Sequence, residues 1–435
     1  MPDLFHEATR VAEIRPTEAG PTLRYAEDWL SLPDAFPASL SMPLNQAEWP
    51  PERALPWLMN LLPEGDPLRA MQRALGVAQE DVLAMIASTG GDLAGALRVG
   101  APRAGGGGYR LIPGAAELET IIAELPRKPF LVGDDGVTMS LAGAQEKLPV
   151  ALVGGALAIP VNGAPSTHIL KPDSSRLPGS VQNEALCMIL AARCGLSAAP
   201  VVTGRAGERS YLLVDRYDRR GRAEEEVTRL HQEDFCQALG RPPGAKYERN
   251  QTGVRGPSLA DMFALVRENM TAVDITRLLD AVIFNIVVGN VDSHAKNYSI
   301  LLTADRPTLA PLYDLMSGLS WDGVTQNHAQ AIGDQTRGRH VQNRHWRRMA
   351  QACGLAPAAT VRRVVALADR VLAELDGAAD AVAAMPAGPG AMLDVFVEDI
   401  RNRARRVGRN AAVDDDPAES DGPAVRTEAY APPRA

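Results

Sequence analysis

The stretch from Ile275 to Ser317 constrains this chain more than any other. Ile275, Leu278, Leu279, Val282, Ile283, Ile286 and Val287 recur at helical intervals, which predicts a buried helix running to about Val288 with Gly289 as its terminator. From Gly289 the sequence reads G-N-V-D-S-H-A-K-N-Y-S-I-L-L, followed shortly by L-A-P-L-Y-D-L-M-S. Residues 298–302 and 309–313 read as two short strands joined by a turn containing Pro307, a hairpin that brings Asn297 and Asp314 to the same end.

Asp292 and Asn297 are five apart and Asp314 follows seventeen residues later. That is the spacing of base and metal-binding amide in the D-x-x-x-x-N catalytic loop of kinases. Moving a γ-phosphoryl group requires an acceptor hydroxyl held in line, a carboxylate to receive its proton, and oxygen ligands for the magnesium that bridges the phosphates. Asp292 takes the role of base, Asn297 that of a neutral metal ligand, and Asp314 that of a charged one. The competing reading makes Asp292 a turn cap and Asp314 a strand end, since aspartate is common in turns; it accounts for either residue alone better than for the three together.

The 435 residues predict two or three structural units, and 46% hydrophobic with 23% charged residues is the composition of a globular chain with a sizeable core. No basic leader with an apolar core opens the sequence and no run of eighteen apolar residues occurs, so the expectation is a cytoplasmic protein without a membrane partner. Cys187, Cys194, Cys236 and Cys353 form no C-x-x-C or zinc spacing and read as buried free thiols. A net charge of −8 argues against non-specific nucleic-acid binding by the whole molecule, while leaving room for local basic patches.

The first hundred residues read as a module of their own. Residues 11–14 and 22–25 suggest a hairpin around Glu18, Ala19 and Gly20, and Asp66-Pro67 suggests a helix start with Asp66 as cap, with helices over 68–75 and 81–87. The four glycines at 105–108 read as a flexible connection rather than a phosphate loop. Beyond them, S-L-A-G-A-Q-E-K at 140–147 lies between expected strands at 137–141 and 148–153, a small-residue turn whose N–H groups can approach phosphates. Lys171 ends a strand-like segment about thirty residues later, suited to contact phosphates or simply exposed at a strand end. Glu184, on the next helix, is either its ion-pair partner or a surface acid. Residues 211–214 then form the strand before an adenine-binding hinge of Asp215, Arg216 and Tyr217.

Taken together, N-L-L-P-E at 60–64, S-L-A-G-A-Q-E-K, T-H-I-L-K-P, Y-L-L-V-D-R-Y-D-R, R-L-H-Q-E-D-F-C-Q-A-L-G, V-D-S-H-A-K-N and Y-D-L-M-S resemble the HipA family of serine/threonine kinase toxins, the toxin half of bacterial toxin–antitoxin pairs. The resemblance covers most of residues 23–317, in the family's order. It implies a two-lobed α+β protein-kinase-like fold with an N-terminal α/β module and a mostly helical C-terminal lobe: a HipA-type module at 1–104, a glycine linker at 105–108, a kinase-like unit at 109–406 with its N-lobe ending near 217, and a disordered tail at 407–435. It implies that Ala142, Gly143, Ala144, Gln145, Glu146 and Lys147 form the ATP loop, that Lys171 binds phosphate, and that Asp215, Arg216 and Tyr217 are the hinge. Asp292 is then the proton acceptor, His294 to Asn297 lie along the nucleotide with Tyr313 beside them, and Asn297 and Asp314 hold Mg2+. It also implies autophosphorylation at Ser140, a HipB-like helix-turn-helix antitoxin, operator DNA reached only through that complex, and an aminoacyl-tRNA synthetase as target, glutamyl-tRNA synthetase being the best-known case.

The chain departs from ordinary protein kinases in having no His-Arg before Asp292 and no Phe-Gly after Asp314. His294 and Lys296 are open to two roles, contact with the transferring phosphoryl group or a structural place. His231 stands where the family often has proline, and Gln232, Glu233 and Asp234 are expected to brace the site. A phosphate on Ser140, beside a loop meant to cradle ATP, is expected to switch the kinase off. Residues 358–385 and 391–406 read as helices. Arg401, Arg403, Arg405 and Arg406, with Arg337, Arg339, Arg347 and Arg348, read as a solvated face or as contacts to DNA phosphate. Two rivals remain: a pseudo-kinase serving as co-repressor scaffold, which the retained Asp292, Asn297, Asp314 and Lys171 oppose, and a small-molecule phosphotransferase.

Overall fold

A computed structural model describes residues 2–78, 81–100 and 107–413. The amino-terminal module is built on a five-stranded sheet in the order Glu48–Trp49, Gly20–Tyr25, Thr9–Thr17, Asp3–His6, Leu97–Val99, every pairing antiparallel. The expected hairpin is there, its strands longer than the apolar residues alone indicated. Helices Pro51–Met59, Gly65–Leu75 and Val82–Thr89 follow. Asp66 does not cap: Glu64 is the extended residue before the helix, and Asp66 sits in the first turn paired with Arg69. Asp81 does cap, accepting the Ala84 N–H at 2.9 Å.

The second unit opens on a six-stranded antiparallel sheet in the order Val201–Ala206, Arg209–Asp215, His168–Pro172, Leu148–Val153, Ala156–Val161, Gly108–Leu111. Gly108 therefore belongs to an edge strand, opposite Val161, rather than to a connection, and Gly105 and Gly106 lie outside the described residues. The expected strand at 137–141 is absent. Those residues meet the module through a single bridge at Asp92–Met139, with a second bridge just beyond them at Pro63–Gly143. The module keeps its own sheet but not its own core: Leu4, Leu23, Trp57 and Leu97 share one apolar cluster with Leu148, Val150, Leu170 and Leu213.

A second cluster fills the helical lobe, where Leu259–Asn269, Ala272–Val288, Asn343–Ala352, Pro357–Ala383 and Leu393–Ala412 pack together. The last helix runs six residues past the expected boundary at 406, and the tail proper, 414–435, lies outside the described residues. No described helix is long and apolar enough to cross a membrane. At the centre, Ala272–Val288 begins on a Thr271/Asp274 capping box and stops at Gly289, whose φ is +73°. A Cβ on Gly289 would lie 2.5 Å from Leu319 Cγ. Gly289→Ala is expected to cost roughly 2–4 kcal/mol through the left-handed conformation and the clash; a urea midpoint equal to wild type would refute that account.

Candidate active site

The helix delivers its C-terminus to a loop that hydrogen bonds close around Asp292. Asn290 is tied back to the helix, its N–H donating to Asn285 O at 2.8 Å and its side chain to Asn285 Oδ1 at 3.0 Å. The Asp292 carbonyl accepts the His294 N–H at 2.7 Å and Asn297 Nδ2 at 2.8 Å. Buried residues lie on both sides, yet the Asp292 side chain keeps 55% of its surface. Tyr247 OH donates to its Oδ1 at 2.5 Å and His294 Nε2 stands 3.9 Å away. Crowding at the cleft floor pushes this carboxyl up to about 6 against the opposing Lys246 charge and Tyr247 bond, and water on its open side limits that push. A carboxylate so placed is suited to receive a proton.

Asp314 arrives from the hairpin expected in the sequence, whose strands pair as Ser299–Leu302 with Thr308–Leu309, the second shorter than read. Its φ is +57°, a strained conformation for a residue with a side chain. The segment after it is clamped to helix Ser180–Arg193 by Asn183, which accepts the Ser317 N–H at 2.7 Å and donates to Ser317 O at 3.1 Å. One residue on, Glu184 is 2% exposed and, like Asp314, accepts Lys171 Nζ at 2.7 Å. Glu184 is thus the partner of Lys171 and not a surface acid. Burial alone would raise Asp314, but Lys171 and then Lys147 hold it well below the usual carboxylate range. Burial likewise opposes the charge on Lys171, and Asp314 and then Glu184 more than restore it. The residues fit a magnesium ion: Asp314 is ionised, and Asn297, with its nitrogen spent on the Asp292 carbonyl, keeps its oxygen for a cation. Among the described residues no cluster of three acids, histidines or cysteines could hold a metal alone. Asn297 and Asp314 would supply the protein ligands of such an ion, which would neutralise charge on bound phosphates.

Residues 142–147 form the turn before strand Leu148–Val153, with Lys147 Nζ donating to Ala142 O at 2.8 Å. Burial and the Lys171 charge lower Lys147 to about 8, and Glu146 is raised by burial. At the hinge, Asp215 is half exposed and pairs with His168 at 2.9 Å. The Tyr217 ring faces Tyr313 at 5.6 Å, and Tyr313 OH donates to Lys296 O at 2.6 Å. Two expected ligands are turned elsewhere. Arg216 is 5% exposed, its guanidinium spent on Asp218, Ser166, Asp92 and Leu93 O and its N–H on Thr167 O, so it braces the module instead of meeting a base. Lys296 resolves the same way: its three N–H donors meet Asn60 Oδ1 at 2.5 Å, Asn60 O at 3.4 Å and Asp234 Oδ2 at 3.0 Å, leaving none for a phosphate. His294 is buried with Nδ1 unpartnered, and burial holds it neutral.

The bracing role of residues 232–234 is realised in full: Gln232 Oε1 accepts Tyr217 OH at 2.7 Å, Glu233 Oε1 the Leu40 N–H at 2.8 Å, and Asp234 the Lys296 ammonium. His231 stacks on Phe36 and meets Ala38 O at 3.0 Å, so the substituted position grips the module. Sequence reasoning missed Lys246 and Tyr247, which reach the catalytic loop from 45 or more residues away with no motif spacing to mark them. Of the C-terminal arginines, Arg401 pairs with Asp376, Arg348 with Asp334, and Arg403 is 7% exposed; Arg337, Arg339, Arg405 and Arg406 are exposed.

Two lobes meeting at an ionised Asp314, an anchored Lys171 and an open Asp292 define a kinase. Comparison with known proteins places it further. The family of HipA-like C-terminal domains matches residues 139–378 and that of HipA N-terminal domains residues 3–100. The chain belongs to the HipA family. It is 40% identical to the putative kinase Y4mE of Sinorhizobium fredii, covering 79% of this chain and 83% of that protein. It is 33% identical to the serine/threonine-protein kinase toxin HipA of Shewanella oneidensis, over 72% and 73% of the two chains. HipA in a Shewanella oneidensis complex with HipB and operator DNA superposes with a TM-score of 0.83 at 27% identity, covering 95% of this chain and all of that one.

Proposed function

We propose that this chain transfers the γ-phosphoryl group of ATP to a serine of another protein, as the toxin of a toxin–antitoxin pair. The observation that carries the reading is the geometry around Lys171, which joins Glu184 and Asp314 at 2.7 Å each while Asp292 stands open to solvent beside them. Lys171 and the loop 142–147 hold the nucleotide phosphates, Asp215 and Tyr217 take the adenine with Tyr313 behind, and His294 lines the cleft. The acceptor oxygen bonds phosphorus as the bond to the ADP oxygen breaks, and the hydroxyl proton passes to Asp292. Magnesium bound at Asn297 and Asp314 would neutralise charge on the phosphates. The functional division is a module to about residue 104 and a kinase-like unit from 109.

The resemblance supports the remaining assignments: a HipB-like antitoxin, operator DNA reached through it, a cytoplasmic place, and an aminoacyl-tRNA synthetase, with glutamyl-tRNA synthetase the first candidate, as the protein whose phosphorylation stops translation. The test is incubation with radiolabelled ATP, magnesium and host lysate. Label on one synthetase supports the reading; label on a metabolite alone overturns it.

Autophosphorylation at Ser140 would act as an off-switch. Its hydroxyl is fully buried and donates to Leu61 O at 3.1 Å, and its N–H donates to Asp92 O at 3.2 Å. A phosphate carries no donor for Leu61 O and brings close to two negative charges, so the modified segment would not return to its place and the ATP loop would lose its wall. Ser140→Ala is expected to keep labelling substrate after wild type slows, and Ser140→Asp to bind ATP at least tenfold more weakly, roughly the loss of a charged group's hydrogen bond. Substrate phosphorylation with Ser140 unmodified by mass spectrometry would remove the switch.

A further inference from the structure

The amino-terminal module sends the Glu64 side chain into the kinase cleft. Residues 60–64 lie against both halves of the site: the Glu64 N–H donates to Gly143 O in the nucleotide loop at 3.1 Å, and Asn60 receives Lys296 of the catalytic loop. Glu64 itself is mostly buried and accepts Lys246 Nζ on Oε2 at 2.9 Å, while its Oε1 has no hydrogen-bond partner. Lys246 is in turn fixed to the catalytic loop, its carbonyl accepting the Ala295 N–H at 3.1 Å, and the adjacent Tyr247 holds Asp292. Besides Lys171 at Asp314 and Lys147 in the nucleotide loop, the cleft thus holds Lys246, next in sequence to the Tyr247 that bonds Asp292.

We propose that Lys246 is a further catalytic residue, a cation on the acceptor side that meets the equatorial oxygens of the phosphoryl group in flight, and that Glu64 of the module is the positioning residue that holds it there. This rests on the kinase reading of the cleft and extends it. In a loose transition state the negative charge spreads over three equatorial oxygens between the entering and leaving groups. Lys171 stands with the nucleotide; a fixed cation on the far side stabilises the group only while it is between the two. The module is then part of the catalytic centre, since Glu64 supplies the carboxylate that pairs with the Lys246 ammonium, which also lies 5.7 Å from the centre of the Tyr247 ring.

Calorimetric titration with Mg·ADP, and with Mg·ADP plus aluminium fluoride as a mimic of the transferring group, tests this on the full chain. Glu64→Gln and Lys246→Met are expected to bind ADP within about twofold of wild type, which also shows that they fold. Each is expected to lose about tenfold or more on the mimic, and the double variant no more than Lys246→Met alone. Equal losses on both ligands would reduce the pair to a structural strut, and losses that multiply in the double variant would separate Glu64 from Lys246; either result overturns the proposal, as does an undiminished affinity for the mimic. A wild-type chain that binds neither ligand overturns the nucleotide site itself.

Discussion

Asp292→Asn is expected to slow phosphoryl transfer by roughly 10²–10⁴-fold, the range a positioned general base contributes, with little change in melting temperature. Asparagine fills the same volume and still accepts from Tyr247, and the loop is held by main-chain atoms that the substitution leaves in place, the carbonyl bonded to His294 and Asn297 among them. What is lost is the capacity to take a proton. Initial rates of label transfer, alongside a thermal melt, check this. A variant within threefold of wild type would move the proton to another acceptor and leave Asp292 a loop residue.

Asp92→Ala is expected to have the largest effect on stability, about 3–5 kcal/mol, because it strips a buried carboxylate from three buried cations. Asp92 is 1% exposed and pairs with Arg219 at 2.9 Å, Arg216 at 3.4 Å and Arg229 at 3.6 Å, while its Oδ2 accepts Ser166 Oγ at 2.6 Å. Burial opposes its charge, but Arg219, Arg216 and Arg229 together hold the carboxyl far below its ordinary value. A depressed folded pKa stabilises the native state above the unfolded value, near 4, and that contribution fades as pH falls toward the folded one. The difference between wild type and variant in denaturant unfolding should therefore be full at pH 7 and smaller at pH 3. A difference that grows in acid would contradict the ion-pair account.

The legible parts of this fold were those written in local pattern. The central helix announced itself by period and by Gly289, and Asp292, Asn297 and Asp314 by spacing. Lys171 and Glu184 are 13 residues apart on a strand and the helix after it, close enough in sequence for their pairing to be suggested. The contacts that escaped notice join residues remote in sequence: Lys296 to Asn60 across 236 positions, Lys246 to Glu64 across 182, Arg216 to Asp92 across 124. No periodicity reports such a meeting, and a lysine bound for a buried amide reads the same as one bound for a phosphate. The strand expected at 137–141 failed for a related reason. Its apolar residues are buried, but between two sheets rather than within one.

The apolar cluster shared by the module and the first lobe has a consequence for synthesis. Ribosomes release a chain from its amino end at about 5–20 residues per second, so the face bearing Leu4, Leu23 and Leu97 emerges well before Leu148, Leu170 and Leu213 arrive to cover it. For roughly 6–23 s at that rate the nascent chain carries half of a core with its apolar side open, a client for chaperones. The catalytic loop follows later still. A fragment ending near residue 100 would keep that exposed face permanently, and one beginning near residue 107 would carry its complement.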